Sequence, residues 1–165
     1  MPEKIRLFSD PILRTVCKPL DFSEDPMFVV GLLETMNETM LAESGIGLAA
    51  NQIGQSLRIF ILKEEGSYKE FINPTVVAQS DPVVFEGEGC LSIPGASATT
   101  KRFNKLSLAW FDRNGIRNES EFNGMKAFAI QHEMDHLNGK LYIDQFGPTK
   151  KDLVLTKHRK FLKRS

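Results

Sequence analysis

The sequence has 165 residues, 41% of them apolar and 25% charged, and its formal net charge is zero. This composition is typical of an ordinary globular protein and excludes collagen-like, low-complexity and wholly disordered chains. No apolar run reaches the roughly 18 residues of a membrane span, and residues 1–6 carry no apolar signal core, so we expect a cytoplasmic protein without membrane contact.

The first predicted element is a helix over residues 26–43. Asp25 can cap its N-terminus, Pro26 suits the first helical position, and Gly45 is expected to end it. Apolar residues recur at the spacing of one helix face: Phe28, Val29, Leu32, Leu33, Met36 and Met40. The pattern therefore predicts a helix with one buried side.

Strand-like segments fill the middle of the chain. β-branched and aromatic residues predict short strands at 57–62, 71–72, 75–78 and 82–85. Glu65-Gly66 offers a turn, and Asn73-Pro74 separates two of the segments. Residues 105–111 alternate between apolar and polar, and Asn114-Gly115 predicts a hairpin turn into a strand at 116–122.

Two more helices are predicted, at about 124–137 and about 150–162. Asn138-Gly139 is expected to end the first of them. The strands lie in the middle of the chain and show no regular alternation with helices. We therefore expect an α+β fold in one domain of residues 1–165, with mainly antiparallel sheets around a central helix, an N-terminal helix and a short C-terminal helix.

The charge is unevenly distributed along the chain. Residues 150–165 carry seven basic side chains and one acid, which leaves 14 basic and 20 acidic groups on residues 1–149. A basic tail on an acidic body suits a polyanionic partner. A solvated helix face is the alternative interpretation of the same pattern.

The strongest chemical signal is the segment QHEMDH at residues 131–136. In a helix, His132 and His136 lie one turn apart on the same face and can take two positions on one cation. Glu133 can then act on a water bound to that cation without being a ligand itself. A catalytic site of this kind normally needs a third protein ligand.

Several residues compete for the place of the third ligand. Tyr142 stands where a metzincin would carry its third histidine, His158 lies in the basic tail, and Asp144 is the sole later acid before the tail. Cys90, flanked by glycines, is a softer candidate, and its thiolate with two imidazoles would bind iron(II), nickel, cobalt or zinc. A lone cysteine is equally compatible with a small buried apolar residue.

Residues 45–52 read GIGLAANQ and are rich in small side chains. They resemble a dinucleotide-binding fingerprint, but they follow a helix and lead to a strand, which is the reverse of the required context. Two interpretations are left. Either the segment is a packing turn, or its glycines let a substrate backbone approach while the Gln52 amide donates to a developing oxyanion.

Together, three segments resemble the signatures of the peptide deformylase family. Residues 45–52, 88–92 and 131–136 match its GΦGΦAAxQ, EGCLS and QHExDH signatures, in the family's order and at about its spacing. The resemblance extends from near the N-terminus to about Asp144. It implies a hydrolase that removes the N-formyl group from the formyl-methionine of nascent polypeptides and releases formate.

The resemblance also assigns roles to individual residues. It implies Cys90, His132 and His136 as metal ligands, with Glu133 as general base and then proton donor. The Leu91 backbone N–H and the Gln52 amide would stabilise the oxyanion. The metal would be iron(II) in the cell, with nickel, cobalt or zinc as substitutes. Substrate would bind as an added strand, through Gly45, Ile46, Gly47, Gly89, Phe128 and Ala129.

Two other functions are weighed against deformylation. One is a zinc endopeptidase of the HExxH type, and the other is a binding module in which a metal with four protein ligands only stabilises the fold. For the deformylase, the resemblance implies formyl-methionyl nascent peptides as substrates and, through the basic C-terminal helix, the ribosome as a partner. We expect no DNA binding and favour a monomer.

Overall fold

The computed structural model describes all 165 residues, from Met1 to Ser165. Five strands form one antiparallel sheet in chain order: β1 Gly47–Ala49, β2 Ile59–Glu64, β3 Ser67–Gly89, β4 Ser97–Phe111 and β5 Arg117–Asn123. Three α-helices accompany the sheet: α1 Pro26–Ala42, α2 Gly124–Leu137 and α3 Pro148–Arg164. Short 3-10 helices lie at Pro11–Arg14, Ala50–Ile53 and Tyr142–Gln145. The predicted α+β class, with the HExxH motif on a helix, is confirmed.

The helices α1 and α2 cover opposite faces of the sheet. Side chains alternate along a strand, so Ile59 and Ile61 of β2 pack with α1, whereas Phe60 and Leu62 pack with α2. Both groups are almost fully buried. The helix that carries the HExxH motif is thereby fixed against β1 and β2, next to the glycine-rich segment.

The helix α1 starts at the predicted residue and ends at Ala42, one residue before the predicted 43, but the residue expected to end it differs. Asp25 caps the helix by accepting a hydrogen bond from the Met27 N–H at 2.9 Å. The residue that adopts left-handed backbone after the helix is Ser44, with φ of 54°, and not Gly45. A Cβ on Gly45 would lie 2.8 Å from the Leu91 Cδ1 atom. Gly45 therefore packs closely against Leu91, and Ser44 takes the left-handed position at the helix end.

The sheet contains longer strands than the sequence predicted. β3 runs without interruption through Asn73-Pro74, which forms an irregularity in its register with β4 and does not end the strand. Asn73 holds this bend by accepting from the Leu20 N–H and donating to the Leu20 carbonyl, at 2.8 and 3.0 Å. The prediction of separate short strands here was wrong, because a bulge absorbs the turn-like residues. β4 also begins eight residues before the predicted start at 105.

The last helix packs on a third apolar cluster. α3 begins two residues before and ends two residues after the predicted 150–162. Its buried residues are Val154, Leu155 and His158. They cover a group of four residues at the base of the Cys90 loop and in the segment after α2: Ile93, Leu141, Tyr142 and Ile143. None of the three helices has the length and apolar character needed to cross a bilayer.

Candidate metal centre and active site

Three of the predicted ligand atoms converge at one point. The Nε2 atoms of His132 and His136 are 3.2 Å apart, and the Cys90 Sγ atom lies 3.3 Å from the His136 Nε2 atom. A tetrahedral ion with bonds of about 2.1 Å to nitrogen and about 2.3 Å to sulfur separates such ligands by roughly 3.4 to 3.6 Å. These residues therefore fit a divalent metal with only small adjustments.

The competing third ligands lie elsewhere. Asp144 binds Arg14 at 2.6 Å and accepts from the Leu141 backbone. His158 is buried on α3, where its Nδ1 atom lies 2.8 Å from the Pro94 carbonyl oxygen. Cys90, His132 and His136 are the three residues whose ligand atoms come together. The sequence motifs alone also allowed Cys90 to be a buried apolar residue. The position of its Sγ atom beside the two histidines disfavours that alternative.

The His132 ring is oriented by a buried ionic network. Its Nδ1 atom lies 3.3 Å from Glu88 Oε1, and Arg102 donates two hydrogen bonds to that same oxygen, at 2.7 and 2.9 Å. Arg102 also binds Asp135 at 2.7 Å. Burial opposes ionisation of Glu88, but His132 and Arg102 together hold the pKa of its carboxyl below the ordinary value. Carboxylate partners of this kind fix the tautomer and direction of a ligating imidazole.

Glu133 faces the glycine-rich segment across the site. Its side chain is 4% exposed, and its Oε2 atom has no hydrogen-bond partner in the protein. Burial raises the pKa of Glu133 to about 7, against the opposing charge of His132. A carboxyl with a pKa near neutrality can both accept and return a proton. A Cβ on Gly47 would lie 2.8 Å from Glu133 Oε1, so a side chain at this position would displace the carboxyl.

Two potential hydrogen-bond donors flank the same point. The Gln52 Oε1 atom accepts from the Ala49 N–H at 3.0 Å, which directs Nε2 towards Ser92 Oγ at 3.1 Å and Cys90 Sγ at 3.8 Å. The Leu91 N–H makes no backbone hydrogen bond within the protein. The two predicted oxyanion donors therefore lie on the same side of the site as the cysteine.

A cavity of about 330 Å³ opens beside these groups. Its lining includes every residue predicted to bind substrate: Gly45, Ile46, Gly47, Gly89, Phe128 and Ala129. Phe85 and Met125 also line it and were missed by the sequence reasoning. The Phe85 ring stacks on Phe128 with centroids 4.7 Å apart. Phe85 lay in a predicted strand, but only the β3 register shows which face it takes.

Arg102 and Asp135 are the other residues that sequence reasoning missed. Arg102 is 6% exposed in the part of β4 that was not predicted as a strand. Glu88 lies across the β3–β4 hairpin from it, so no local pattern reveals the pair. Asp135 could have been found from the sequence, since it belongs to the QHExDH segment.

The site as a whole contains two histidines and a cysteine beside a buried glutamate. This arrangement defines a metal-dependent hydrolase of the HExxH kind.

Comparison with known proteins agrees with this class. A family model for polypeptide deformylase matches residues 2–152. Peptide deformylase 2 of Xanthomonas campestris pv. campestris is 40% identical over 161 residues, which cover 94% of each chain. The peptide deformylase of Brucella suis is 39% identical over 159 residues, 93% of this chain and 90% of that one. A crystal structure of a peptide deformylase from Legionella pneumophila has a TM-score of 0.91 and 35% identity, covering 99% of this chain and 96% of that chain.

The chain therefore belongs to the polypeptide deformylase family. Its activity is hydrolytic removal of formyl groups, and the comparisons favour this reaction over the predicted alternative of a zinc endopeptidase. The family match ends at residue 152 and so excludes most of α3.

Proposed function

We propose that the whole chain, residues 1–165, is one catalytic domain that hydrolyses the N-formyl group of formyl-methionyl peptides at the Cys90, His132 and His136 site. The observation that carries this proposal is the convergence of these three ligand atoms beside Glu133 and against the 330 Å³ cavity, which Cys90, His132 and Glu133 help to line. When bound, the metal supplies a Lewis acid that polarises the formyl carbonyl and acidifies the attacking water.

The residues around the metal divide the remaining work. Glu133 takes a proton from the attacking water and later gives it to the leaving amine, so that formate and a free N-terminus result. Gln52 Nε2 and the Leu91 N–H donate to the carbonyl oxygen as it gains negative charge. Removing one such donor typically lowers kcat by about 10²- to 10³-fold.

The substrate is placed by backbone and by one side-chain pocket. Gly45 and Ile46 lead directly into Gly47, the first residue of the outer strand β1, so an extended peptide can pair along this edge, with Gly89 on the opposite side of the cavity. Phe128, Ala129 and the Phe85 ring form an apolar wall for the methionine side chain. Since main-chain hydrogen bonds supply most of the affinity, we expect little preference for particular side chains beyond the first residue of the substrate peptide.

We assign iron(II) as the metal in the cell, and nickel, cobalt or zinc as substitutes. One thiolate with two imidazoles is a donor set that all four ions accept. The proposal is tested by measuring formate release from a formyl-Met peptide under anaerobic conditions, with iron(II) or nickel added to metal-free protein. An internal peptide without a formyl group serves as the control substrate.

We expect formate release that depends on metal, and no cleavage of the control peptide. Glu133→Gln should retain the metal and lose about 10²- to 10⁴-fold in kcat, because it removes the acid–base group. Turnover equal to wild type in that variant, with metal bound, would refute the role of Glu133. Cleavage of the control peptide would restore the endopeptidase interpretation.

For α3 we propose a docking role at the ribosome in the cytoplasm, where nascent chains emerge. Lys157, Lys160 and Lys163 are exposed, whereas Lys150 is engaged with the Thr99 carbonyl at 3.1 Å and the Phe146 ring. Each phosphate neutralised releases counterions, so binding should weaken steeply with salt. Changing the three exposed lysines to glutamine should reduce co-sedimentation with ribosomes at low salt and leave formate release unchanged. Equal co-sedimentation would refute this role.

A further inference from the structure

The last helix holds one end of the loop that carries Cys90. The His158 Nδ1 atom lies 2.8 Å from the Pro94 carbonyl oxygen, so Nδ1 carries a proton and donates it. Gly95 adopts φ of 83°, and any side chain there would collide with Phe161. The His158 ring also meets Phe8 edge-on, with centroids 5.4 Å apart. The Pro94-Gly95 turn is therefore held against α3 by one hydrogen bond and by close packing.

The other end of this loop belongs to the active site. It carries the Cys90 thiol and the Leu91 N–H, and the Ile93 N–H closes a tight turn onto the Cys90 carbonyl at 2.9 Å. Ser92 is held from outside the loop, since Phe8 N–H donates to its carbonyl at 2.9 Å. Three residues separate Pro94 from Cys90, and the hydrogen bond from Ile93 to Cys90 is the connection through which a shift at Pro94 would reach the thiol and the Leu91 N–H.

We propose that His158 is a positioning residue, whose hydrogen bond to Pro94 sets the location of the Cys90 thiol and the Leu91 N–H. This proposal rests on the metal site of the proposed function. His158 touches neither the ligand atoms nor the cavity, and it lies beyond residue 152, where the family match ends.

Packing alone does not account for a histidine at this place. The ring is 1% exposed, and its Nε2 atom is buried without a hydrogen-bond partner. A buried unpaired nitrogen destabilises the folded state, and an apolar side chain of similar size would avoid that cost. The feature that an apolar residue cannot supply is the Nδ1–H donor to Pro94.

The two amide variants of His158 separate positioning from packing. The side-chain amide of asparagine places an N–H donor near the position of the His158 Nδ1 atom, within reach of the Pro94 carbonyl. The longer glutamine places its N–H donor near the position of the His158 Nε2 atom, away from Pro94. We compare His158→Asn and His158→Gln in the cobalt-loaded protein, well below the melting temperature of either. The measured quantities are the thiolate-to-cobalt absorption band, the rate of metal loss to a chelator, and kcat and KM for formate release.

We expect His158→Gln to lose cobalt about tenfold faster than wild type and to shift the thiolate-to-cobalt absorption band. Changing residues that orient metal ligands typically weakens metal binding or activity by about 10- to 100-fold. Its kcat should fall about tenfold with KM little changed, because a displaced donor affects the reacting geometry more than peptide pairing. His158→Asn should be close to wild type in all four quantities.

Two controls account for general effects. Val29→Ala removes buried volume in the first turn of α1 and lowers stability, and Leu153→Ala changes an exposed residue of α3 itself. Both should keep wild-type metal loss and kcat. Wild-type behaviour of His158→Gln, or equal defects in the two amide variants, would overturn the proposal. If wild-type protein loaded with cobalt shows no thiolate-to-cobalt band, Cys90 is not a ligand, and the proposed function fails together with the role of His158. Failure of the His158 proposal alone leaves that band present in the wild-type protein.

Discussion

Replacing Gly47 with alanine probes the approach of β1 to Glu133. The new Cβ would stand 2.8 Å from Glu133 Oε1 and 3.0 Å from Leu62 Cδ2, so it is confined from two sides. Gly47 does not have positive φ, so alanine introduces no backbone strain there. Ordinary contact begins at 3.4 Å, and the carboxyl must therefore retreat by about 0.6 Å.

That displacement has a calculable effect on turnover. Misplacing a reacting group by about 1 Å costs on the order of 10²-fold, so about 0.6 Å should lower kcat by roughly 10- to 20-fold. The measurement is formate release by nickel-loaded protein, with bound nickel determined on the same sample. The metal content should stay at the wild-type value, because Gly47 contacts none of the three ligands.

The matched control is Gly31→Ala in α1. Apart from the neighbouring backbone of α1, no atom lies within 4 Å of the position its Cβ would take, so kcat should be unchanged. Stability should rise by about 0.5–1 kcal/mol, because alanine is the better residue inside a helix. Wild-type kcat in Gly47→Ala, or a loss of kcat that follows lost nickel, would refute the reasoning about Glu133.

Three further changes test other parts of the molecule. Cys90→Ser should weaken metal binding, shift preference towards zinc and remove the thiolate–cobalt band, and an unchanged band would exclude Cys90 as a ligand. Arg102→Met should lower the free energy of unfolding, measured in urea, by about 3–5 kcal/mol, because it removes the guanidinium partner of the buried Glu88 carboxylate, and a loss below about 1 kcal/mol would contradict this. Partial burial opposes ionisation of Asp144, but the hydrogen bond and charge of Arg14 lower the pKa of its carboxyl below the ordinary value. The ion pair therefore stabilises the folded state at pH values above about 3.9, the pKa of an aspartate in the unfolded chain. Asp144→Asn should therefore melt below wild type at pH 7, and the difference should disappear as the pH falls below about 4, whereas a constant difference would argue against the ion pair.

The parts of the fold that the sequence predicted well are those with a local signal. α2 was predicted with its observed bounds, because its apolar spacing and its Asn-Gly end lie within the same few residues. The extension of β4 back to Ser97 could not be seen, because residues 97–104 are mostly polar and show no alternation of apolar and polar side chains, and their strand partners lie in β3. Thr100 and Arg102 are buried there by the fold and not by their own hydropathy.

The candidate site divides in the same way. The pair His132 and His136 follows from helical spacing alone, whereas spacing could not decide between Cys90 and the later residues. The resemblance to a family selected Cys90, and the structure brings its Sγ atom to 3.3 Å from His136. The link from α3 to the Cys90 loop lay outside both kinds of reasoning, since His158 is far in sequence from Pro94 and outside the family match.

The two outer strands of the sheet differ in how they meet other polypeptides. A long outer strand with free backbone groups invites aggregation through pairing with another chain. β5 has seven residues, but its exposed charges Arg117, Glu119 and Glu121 discourage such pairing. β1 has only three residues and lies beside the cavity. If substrate pairs at β1 as proposed, the edge that receives it is thus too short to join molecules into larger sheets.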